Sequence, residues 1–209
     1  MDEVSALCDA ITCELDKPAI LERLRAAIPY MSNLDAVGHP NGFIAITLVK
    51  DGRMEVRLHL WTGAELAQEE HAIHNHVYDL RSLVLIGGLH QTRWTIETDS
   101  QGPLEEFTVT YANAGSALTA TGNKVRPNIV SKDHFVAGDR YEVRAGEFHS
   151  ITPAKIPSAT LFAKMPADHP DLARVVGRNL PDGQLQSERQ PLSPEQIEQC
   201  LRQLATSTI

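Results

Sequence analysis

Three histidines stand at spacings that suit one metal ion. His74 and His76 are separated by a single residue, and His149 lies far downstream, beside the glycine turn at Gly146. Side chains of a strand alternate between its two faces, so the first two imidazoles point to the same side of an extended chain. Three imidazoles on one side of an ion leave coordination positions open for a substrate. The sequence therefore predicts a three-histidine site for one divalent metal per chain.

The choice of metal and any further ligand stay open. Neutral imidazole accepts several divalent ions, so Fe, Zn, Ni, Mn and Cu are all candidates. Three neutral ligands leave the ion its full charge, which favours a chelating anionic substrate such as a carboxylate, enolate or thiolate. Asp79 is a candidate fourth ligand, or a carboxylate that orients a ligand imidazole without binding the metal itself. His71 offers an alternative and tighter cluster with His74 and His76.

The histidines are embedded in a pattern of short β-strands. An apolar run over residues 82–88 ends in Gly87-Gly88 and predicts a buried strand closed by a turn. Further strands are predicted at 43–49, 54–61, 89–97, 106–111, 134–136, 141–144, 149–152 and 159–164, and 113–128 reads as irregular or as an edge. Residues 99–103 are typical of a hairpin loop. Many short strands with Gly and Pro between them favour an antiparallel barrel or sandwich.

The predicted strand at 54–61 has two different faces. Arg57, His59 and Trp61 alternate with the apolar residues Val56, Leu58 and Leu60. Barrel interiors are lined by alternate residues, so Arg57 and His59 are candidate catalytic residues if their face points inward. In the other interpretation the apolar face fills the core and the polar face meets solvent.

Both ends of the chain have helical patterns. Apolar residues recur at helical spacing within residues 2–33. Near the other end, Ser193 and Gln196 have the spacing of a capping box before a short helix that runs through Leu204. The faces of these helices are expected to pack on the barrel or across a homodimer.

The two histidine motifs resemble those of the cupin superfamily, small jelly-roll β-barrels that hold a metal inside. The matching residues are His74, His76 and Gly88 in the first motif and Gly138, Gly146 and His149 in the second. The chain departs from the pattern at Gln68, at Leu80 or Arg81 in place of the metal-binding glutamate, at Arg144 and at Pro153. The resemblance implies a cupin barrel over residues 42–165, an N-terminal helical extension over 1–41 and a C-terminal tail and helix over 166–209.

The first motif is similar to the thiol dioxygenase branch, in which three histidines and no carboxylate bind ferrous iron. The missing glutamate fits that branch, whereas Lys164 and Pro166 stand where its catalytic His-x-Tyr pair is expected. The resemblance implies a non-haem Fe(II) dioxygenase that acts on a small anionic or thiol substrate with dioxygen. Two alternatives remain: a cupin isomerase, epimerase or lyase that uses the metal as a Lewis acid, and a non-catalytic binding protein.

Two further residues near the motifs are candidates for catalysis. Arg81 stands where many cupins place a metal-binding glutamate, and a guanidinium cannot ligate a metal. It therefore either turns outward or points into the pocket and holds a substrate carboxylate. Tyr141, beside the second motif, is the other candidate.

The composition excludes several classes of partner. A formal net charge of -8 argues against binding to nucleic acid and to anionic membranes. Aromatic residues make up 5% of the chain, which argues against a stacking surface for bases. The odd count of 3 cysteines and the lack of a leader pattern favour the cytoplasm. The expected partners, given by the metal site and the resemblance, are a small-molecule substrate and dioxygen, and the expected assembly is a homodimer.

Overall fold

The computed structural model describes residues 34–52, 54–63, 72–112, 115–168, 171–178 and 184–206. Its strands are β1 (Ala36–His39), β2 (Phe43–Asp51), β3 (Met54–Trp61), β4 (Ile73–His74), β5 (Asp79–Thr98), β6 (Leu104–Ala112), β7 (Gly115–Val136), β8 (Arg140–Val143), β9 (Phe148–Met165), β10 (Arg174–Gly177) and β11 (Gln184–Glu188), followed by helix α1 (Pro194–Thr206). The predicted helices within residues 2–33, together with Gln68 and His71, lie outside the described residues.

The strands form an antiparallel barrel, which confirms the predicted all-β jelly-roll class. Pairing runs from β9 through β4, β10, β6 and β7 to β5, and β5 pairs with β9 again, so the ladder closes on itself. β1, β2 and β3 extend the sheet on the other side of β9. Closure satisfies the backbone groups that an open sheet would leave unpaired. Among the described residues, no helix has the length and apolar character needed to cross a membrane.

Three predictions about strands are wrong, because the chain continues as a long strand where a break or an irregular segment was expected. The apolar run at 82–88 and the strand at 89–97 are one strand, β5, which bends where Gly87 has a φ of 72°. A Cβ at Gly87 would also overlap Ser158 Oγ, so both the conformation and the space require glycine. The stretch at 113–128 belongs largely to β7, and the segments at 149–152 and 159–164 are both parts of β9.

Two apolar clusters lie on opposite faces of the same sheet. The outer cluster includes Val56, Leu58, Leu60, Leu83, Leu85, Leu161, Ile197 and Leu201. The inner cluster includes Trp61, Leu80, Val84, Leu89, Tyr141, Val143 and Phe162. Neighbouring residues of β3, β5 and β9 belong to different clusters, because successive side chains of a strand point to opposite faces of the sheet. The outer cluster therefore lies under α1, and the inner cluster lines the barrel.

Helix α1 covers the outer cluster, as predicted for the C-terminal end. Ile197 and Leu201 are almost fully buried in that cluster. Ser193 Oγ accepts a hydrogen bond from Gln196 N over 3.3 Å, and Ser193 N donates to Gln196 Oε1 over 2.8 Å. These two bonds form the predicted capping box and fix the start of the helix.

Candidate metal centre and cavity

The barrel brings His74, His76 and His149 together. Their potential ligand nitrogens all lie within 4.8 Å of one another, and His76 Nε2 is 2.9 Å from His149 Nε2. Metal–nitrogen bonds of about 2.1 Å at a right angle would place two nitrogens about 3.0 Å apart. The closest pair therefore already has the separation that two imidazoles adopt on neighbouring positions of one ion.

Different elements hold the three histidines. His74 ends the two-residue strand β4 and is directly paired with His149 at the start of β9. His76 lies beyond β4, in the connection to β5, so the predicted pair does not share one strand. Its carbonyl accepts a hydrogen bond from Gly146 N over 2.9 Å, which ties the first motif to the glycine turn of the second.

Asn75, between the two histidines, anchors this connection. It is 2% exposed. Its N–H donates to the carbonyl of Arg174 over 3.1 Å, and its Oδ1 accepts from Arg174 N over 2.6 Å. Asn75 is not among the residues predicted from the sequence, and its buried side chain requires such partners.

Hydrogen bonds to the rings decide which nitrogen faces the cluster. His74 Nδ1 donates to the carbonyl of Ala72 over 2.9 Å, which leaves Nε2 as the free lone pair. Gln91, fully buried, places its Nε2 at 3.3 Å from His149 Nδ1. An amide nitrogen only donates, so in this arrangement His149 carries its proton on Nε2 and donates it to His76.

Burial keeps the three imidazoles neutral. It lowers the pKa of His74, and it lowers the pKa values of His76 and His149 well below 6.5. For His76 and His149 the neighbouring histidines act in the same direction, because a second positive charge beside the first is unfavourable. Neutral imidazole is the form that binds metal, so the cluster fits a divalent ion.

The cluster opens onto a cavity with an outer and an inner chamber. The outer chamber measures about 320 Å³, and its charged lining residues are Lys50, Glu55, Arg57, Lys164 and Arg189. Four cations against one carboxylate give this lining a positive balance. The outer chamber therefore favours an anion, in contrast to the acidic chain as a whole.

The inner chamber is smaller and walled by rings. It measures about 70 Å³, and its lining includes Phe43, His59, Trp61, Tyr141 and Phe162. All three clustered histidines line it as well. The metal site thus lies where the cationic outer chamber meets the aromatic inner chamber.

Arg57 and His59 face the cavity. Of the two interpretations of β3, the structure therefore agrees with the one in which the polar face points inward. Arg57 Nε and Nη2 donate to the two carboxylate oxygens of Glu55, each over 2.8 Å. His59 lies between Phe43 and Phe162, with ring centroids at 4.4 and 4.6 Å. Burial, followed by the charge of Arg57, lowers the pKa of His59 to about 3. The apolar face of β3 packs under α1 instead.

Arg81 is not brought to the cluster. It shares a face of β5 with Leu83 and Leu85, which belong to the outer cluster, and its Nε lies 2.8 Å from Glu142 Oε1 on the paired strand β8. Because this face points away from the cavity, the inward position considered for Arg81 is wrong, and the outward one is observed.

Asp79 and Tyr141 also have defined places. Asp79 Oδ1 accepts a hydrogen bond from Ala145 N over 2.8 Å, so this carboxylate ties β5 to the second motif and is not one of the clustered ligands. Tyr141 forms part of the inner wall, where its ring stacks on Phe135 at 4.8 Å. Burial raises the pKa of its hydroxyl to about 12.

Several cavity residues were missed in the sequence. His39, Tyr78 and Arg189 line the outer chamber, and the Lys164 ammonium lies 4.6 Å from the centre of the Tyr78 ring. Tyr78 also stacks on His76 at 4.9 Å. Alternation from His76 could have indicated Tyr78, whereas His39 and Arg189 reach the cavity only through long-range packing.

Comparison with known proteins gives distant similarities only. No family model and no curated protein sequence matches the chain. Hydroxypropylphosphonic acid epoxidase from S. wedmorenis is 15% identical, with a TM-score of 0.39 over 65% of this chain and 56% of its own. A hydroquinone 1,2-dioxygenase in complex with Cd²⁺ and 4-hydroxybenzonitrile is 11% identical, with a TM-score of 0.35 over 59% of this chain and 64% of its own.

A third structure is an uncharacterized conserved protein with a double-stranded β-helix domain from Klebsiella pneumoniae. It is 14% identical, with a TM-score of 0.32 over 72% of this chain and 88% of its own. The aligned region spans less than two thirds of the first two structures. At these values the comparisons carry no argument about chemistry, so the functional conclusion depends on the residues of the site itself.

Proposed function

We propose that this protein is a metal-dependent enzyme, a non-haem Fe(II) dioxygenase that acts on a small anionic substrate. The observation that carries the proposal is the position of the three-histidine cluster at the junction of a positively lined chamber and an aromatic one. His74, His76 and His149 would hold a redox-active ion, which would supply the chemistry for oxidation of the substrate by dioxygen. Zn, Ni, Mn and Cu suit the same ligands.

His74, His76 and His149 are the proposed ligands. For His149 to offer Nε2, its proton must move to Nδ1, which then needs an acceptor. A half-turn of the Gln91 amide supplies one, because Gln91 Oε1 is buried and has no hydrogen-bond partner among the described residues. Gln91 thereby sets the tautomer of His149, as partners behind metal-bound histidines commonly do.

The outer chamber is the proposed site for the anionic end of the substrate. The charge of Arg57 is already balanced by the bidentate contact with Glu55. Lys50, Lys164 and Arg189 have no second carboxylate among the described lining residues. These three cations are therefore available to balance a substrate carboxylate, thiolate or enolate beside the metal.

A Lewis-acid isomerase or lyase is the second candidate, favoured by one specific observation. Burial lowers the pKa of Lys164, which brings this amine closer to acting as a base in a cavity that also holds the metal site. Such a reaction would move a proton without consuming dioxygen. A binding protein without catalysis would neither consume dioxygen nor move a proton of its ligand.

Oxygen uptake separates these candidates. Protein purified without chelator is loaded anaerobically with Fe(II) and screened in an oxygen electrode against small thiols, carboxylates and hydroxy acids. The proposal predicts Fe(II)-dependent uptake with at least one anionic compound and none in the His149→Ala variant. Metal binding without oxygen uptake for any compound, together with proton exchange into one of them, would establish the second candidate instead.

A further inference from the structure

Three buried polar atoms near the inner chamber lack hydrogen-bond partners among the residues that the structure describes. They are His59 Nε2, Trp61 Nε1 and Thr160 Oγ1. His59 and Thr160 are directly paired across β3 and β9, and Trp61 is two residues beyond His59 on the same face. The three residues are 9%, 4% and 0% exposed, so bulk solvent does not satisfy these atoms.

Polar atoms are rarely left in this state inside a folded protein. His59 and Trp61 both line the inner chamber, which lies against the clustered histidines. The indole nitrogen of Trp61 is a donor and never an acceptor, so its partner must offer a lone pair. The two unpartnered residues of the lining therefore point to an acceptor atom that enters the chamber.

The size and walls of the chamber restrict what enters. At about 70 Å³ it is less than a quarter of the size of the outer chamber at about 320 Å³, which suits a short group of a few atoms. Rings of Phe43, Phe162 and Tyr141 surround it, and Arg57 at its edge is paired with Glu55. Because the charge of Arg57 is already balanced by Glu55, the chamber away from the three histidines offers a charged oxygen no free cation, whereas the outer chamber offers several.

We propose that the inner chamber binds a neutral, hydrogen-bond-accepting oxygen of the substrate, with the Trp61 indole N–H as its donor and His59 as a second contact. The substrate class is then a small anion that carries a carbonyl, amide or ether oxygen at the end opposite its charge. That the ligand is a substrate rests on the proposed function. The chamber itself can be tested without metal.

Additional support comes from the protonation state of His59. Its lowered pKa of about 3 keeps the ring neutral at pH 7, so either ring nitrogen can carry the proton. Nε2 can therefore donate to the same oxygen as Trp61 or accept from a neighbouring hydroxyl. An apolar group in the chamber would leave both side chains unsatisfied.

The experiment is a titration of the metal-free protein with acetamide, followed by the indole N–H signals in ¹H–¹⁵N NMR spectra. The chain has 2 tryptophans, and the other one is an internal control, because Trp94 Nε1 already donates to Ser150 Oγ over 3.1 Å. Acetamide should move the Trp61 signal downfield and to saturation while the Trp94 signal stays in place. Xenon, an apolar probe, should bind more weakly and leave the Trp61 N–H shift unchanged.

A pair of variants tests the donor directly. Trp61→Phe should weaken acetamide binding about fivefold to tenfold, as loss of one hydrogen bond predicts, when binding is followed at the methyl signals of Ile151 in the chamber wall. The matched variant Trp94→Phe should bind acetamide like the wild type. Both should take up the same amount of metal as the wild type, because the three histidines are untouched.

Two results would overturn the proposal: no saturable change at Trp61 with acetamide in the wild type, or equal changes at Trp61 and Trp94. Tighter binding of xenon than of acetamide would also do so, because it would make the chamber an apolar pocket. Failure of the wild type to bind any divalent metal would instead remove the proposed function and leave the titration result standing.

Discussion

The two faces of β3 differ in what they do for the molecule. Val56, Leu58 and Leu60 are at most 2% exposed and pack in the outer cluster under α1. The opposite face, represented by Arg57 and His59, is also largely buried but lines the cavity. Burial alone does not distinguish a structural face from a functional one. The distinction lies in whether the buried polar groups find partners within the protein.

Within β3, the buried polar atoms that lack hydrogen-bond partners among the described residues lie on the cavity face. Arg57 donates two hydrogen bonds to Glu55, whereas His59 Nε2 and Trp61 Nε1 have no partner in the described part of the chain. A fold gains nothing from buried donors without acceptors. We therefore read the outer face as a source of stability and the cavity face as a binding surface, and this contrast can be tested by substitution.

The largest expected effect is on stability, from the outer face. Leu58→Ala should lower the free energy of unfolding by about 2–5 kcal/mol, because it leaves a cavity in a packed cluster. Denaturant unfolding measures this loss, and metal content should stay at the wild-type level. If Leu58→Ala kept the wild-type stability but lost metal, the outer face would serve binding and not stability, which contradicts this assignment.

The next largest effect is a loss of stability at low pH, caused by the protonation of His59 on the cavity face. The pKa of His59 is about 3 in the folded state against 6.5 unfolded, so the unfolded state binds more protons between these values. Its contribution to stability is fully present above pH 6.5 and is lost as pH falls towards 3. The loss is at most about 1.4 kcal/mol per pH unit for each such histidine.

His59→Asn, which cannot titrate, isolates this contribution. Unfolding free energies of the metal-free protein, measured between pH 6.5 and 4.5, should fall less steeply for the variant than for the wild type. His39, His74, His76 and His149 also have lowered pKa values, so a residual slope should remain. Identical slopes in both proteins would mean that His59 is not buried in the neutral form.

A smaller effect is expected on anion binding from the outer chamber. Lys164→Met removes one of the lining cations and should weaken malonate binding to the metal-free protein about fivefold, the worth of one partly screened charge pair. Lys132→Met is the matched control, since Lys132 is exposed on β7 and changes the net charge equally. If both variants bound malonate equally weakly, the loss would come from the change in net charge and not from the position of Lys164 in the chamber.

The smallest effect is expected at Arg81. Arg81→Ala removes a part-exposed ion pair with Glu142 and should lower the free energy of unfolding by less than about 1 kcal/mol. Metal content and malonate binding should not change, because this side chain faces away from the cavity. A clear loss of malonate affinity in this variant would contradict the outward position.

The sequence was sufficient for the histidine cluster and for the fold class. Motif spacing predicts the grouping of His74, His76 and His149. The many short strands separated by Gly and Pro predict an antiparallel barrel or sandwich, and the resemblance of the motifs favours the barrel. Alternation could not say which face of β3 is inside, because both faces are buried once α1 covers the apolar one. Likewise, the bends in β5 and β9 keep strands continuous through residues that locally favour turns.

The charged cavity lining was less predictable. Lys50, Lys164 and Arg189 come from distant parts of the chain, and only the closed pairing of the barrel places them around one chamber. Arg81 occupies a motif position that faces the metal in many cupins. Here it belongs to the outward face of β5, a difference of orientation that spacing alone does not reveal.

Metal content is the measurement that tests the central claim most directly. Wild-type protein and the His74→Ala, His76→Ala and His149→Ala variants are purified without chelator, equilibrated with Fe(II) under anaerobic conditions, desalted and analysed by elemental mass spectrometry. The account predicts close to one metal ion per wild-type chain and a large loss in each variant, with circular dichroism unchanged. Near-stoichiometric metal in all three folded variants would contradict it.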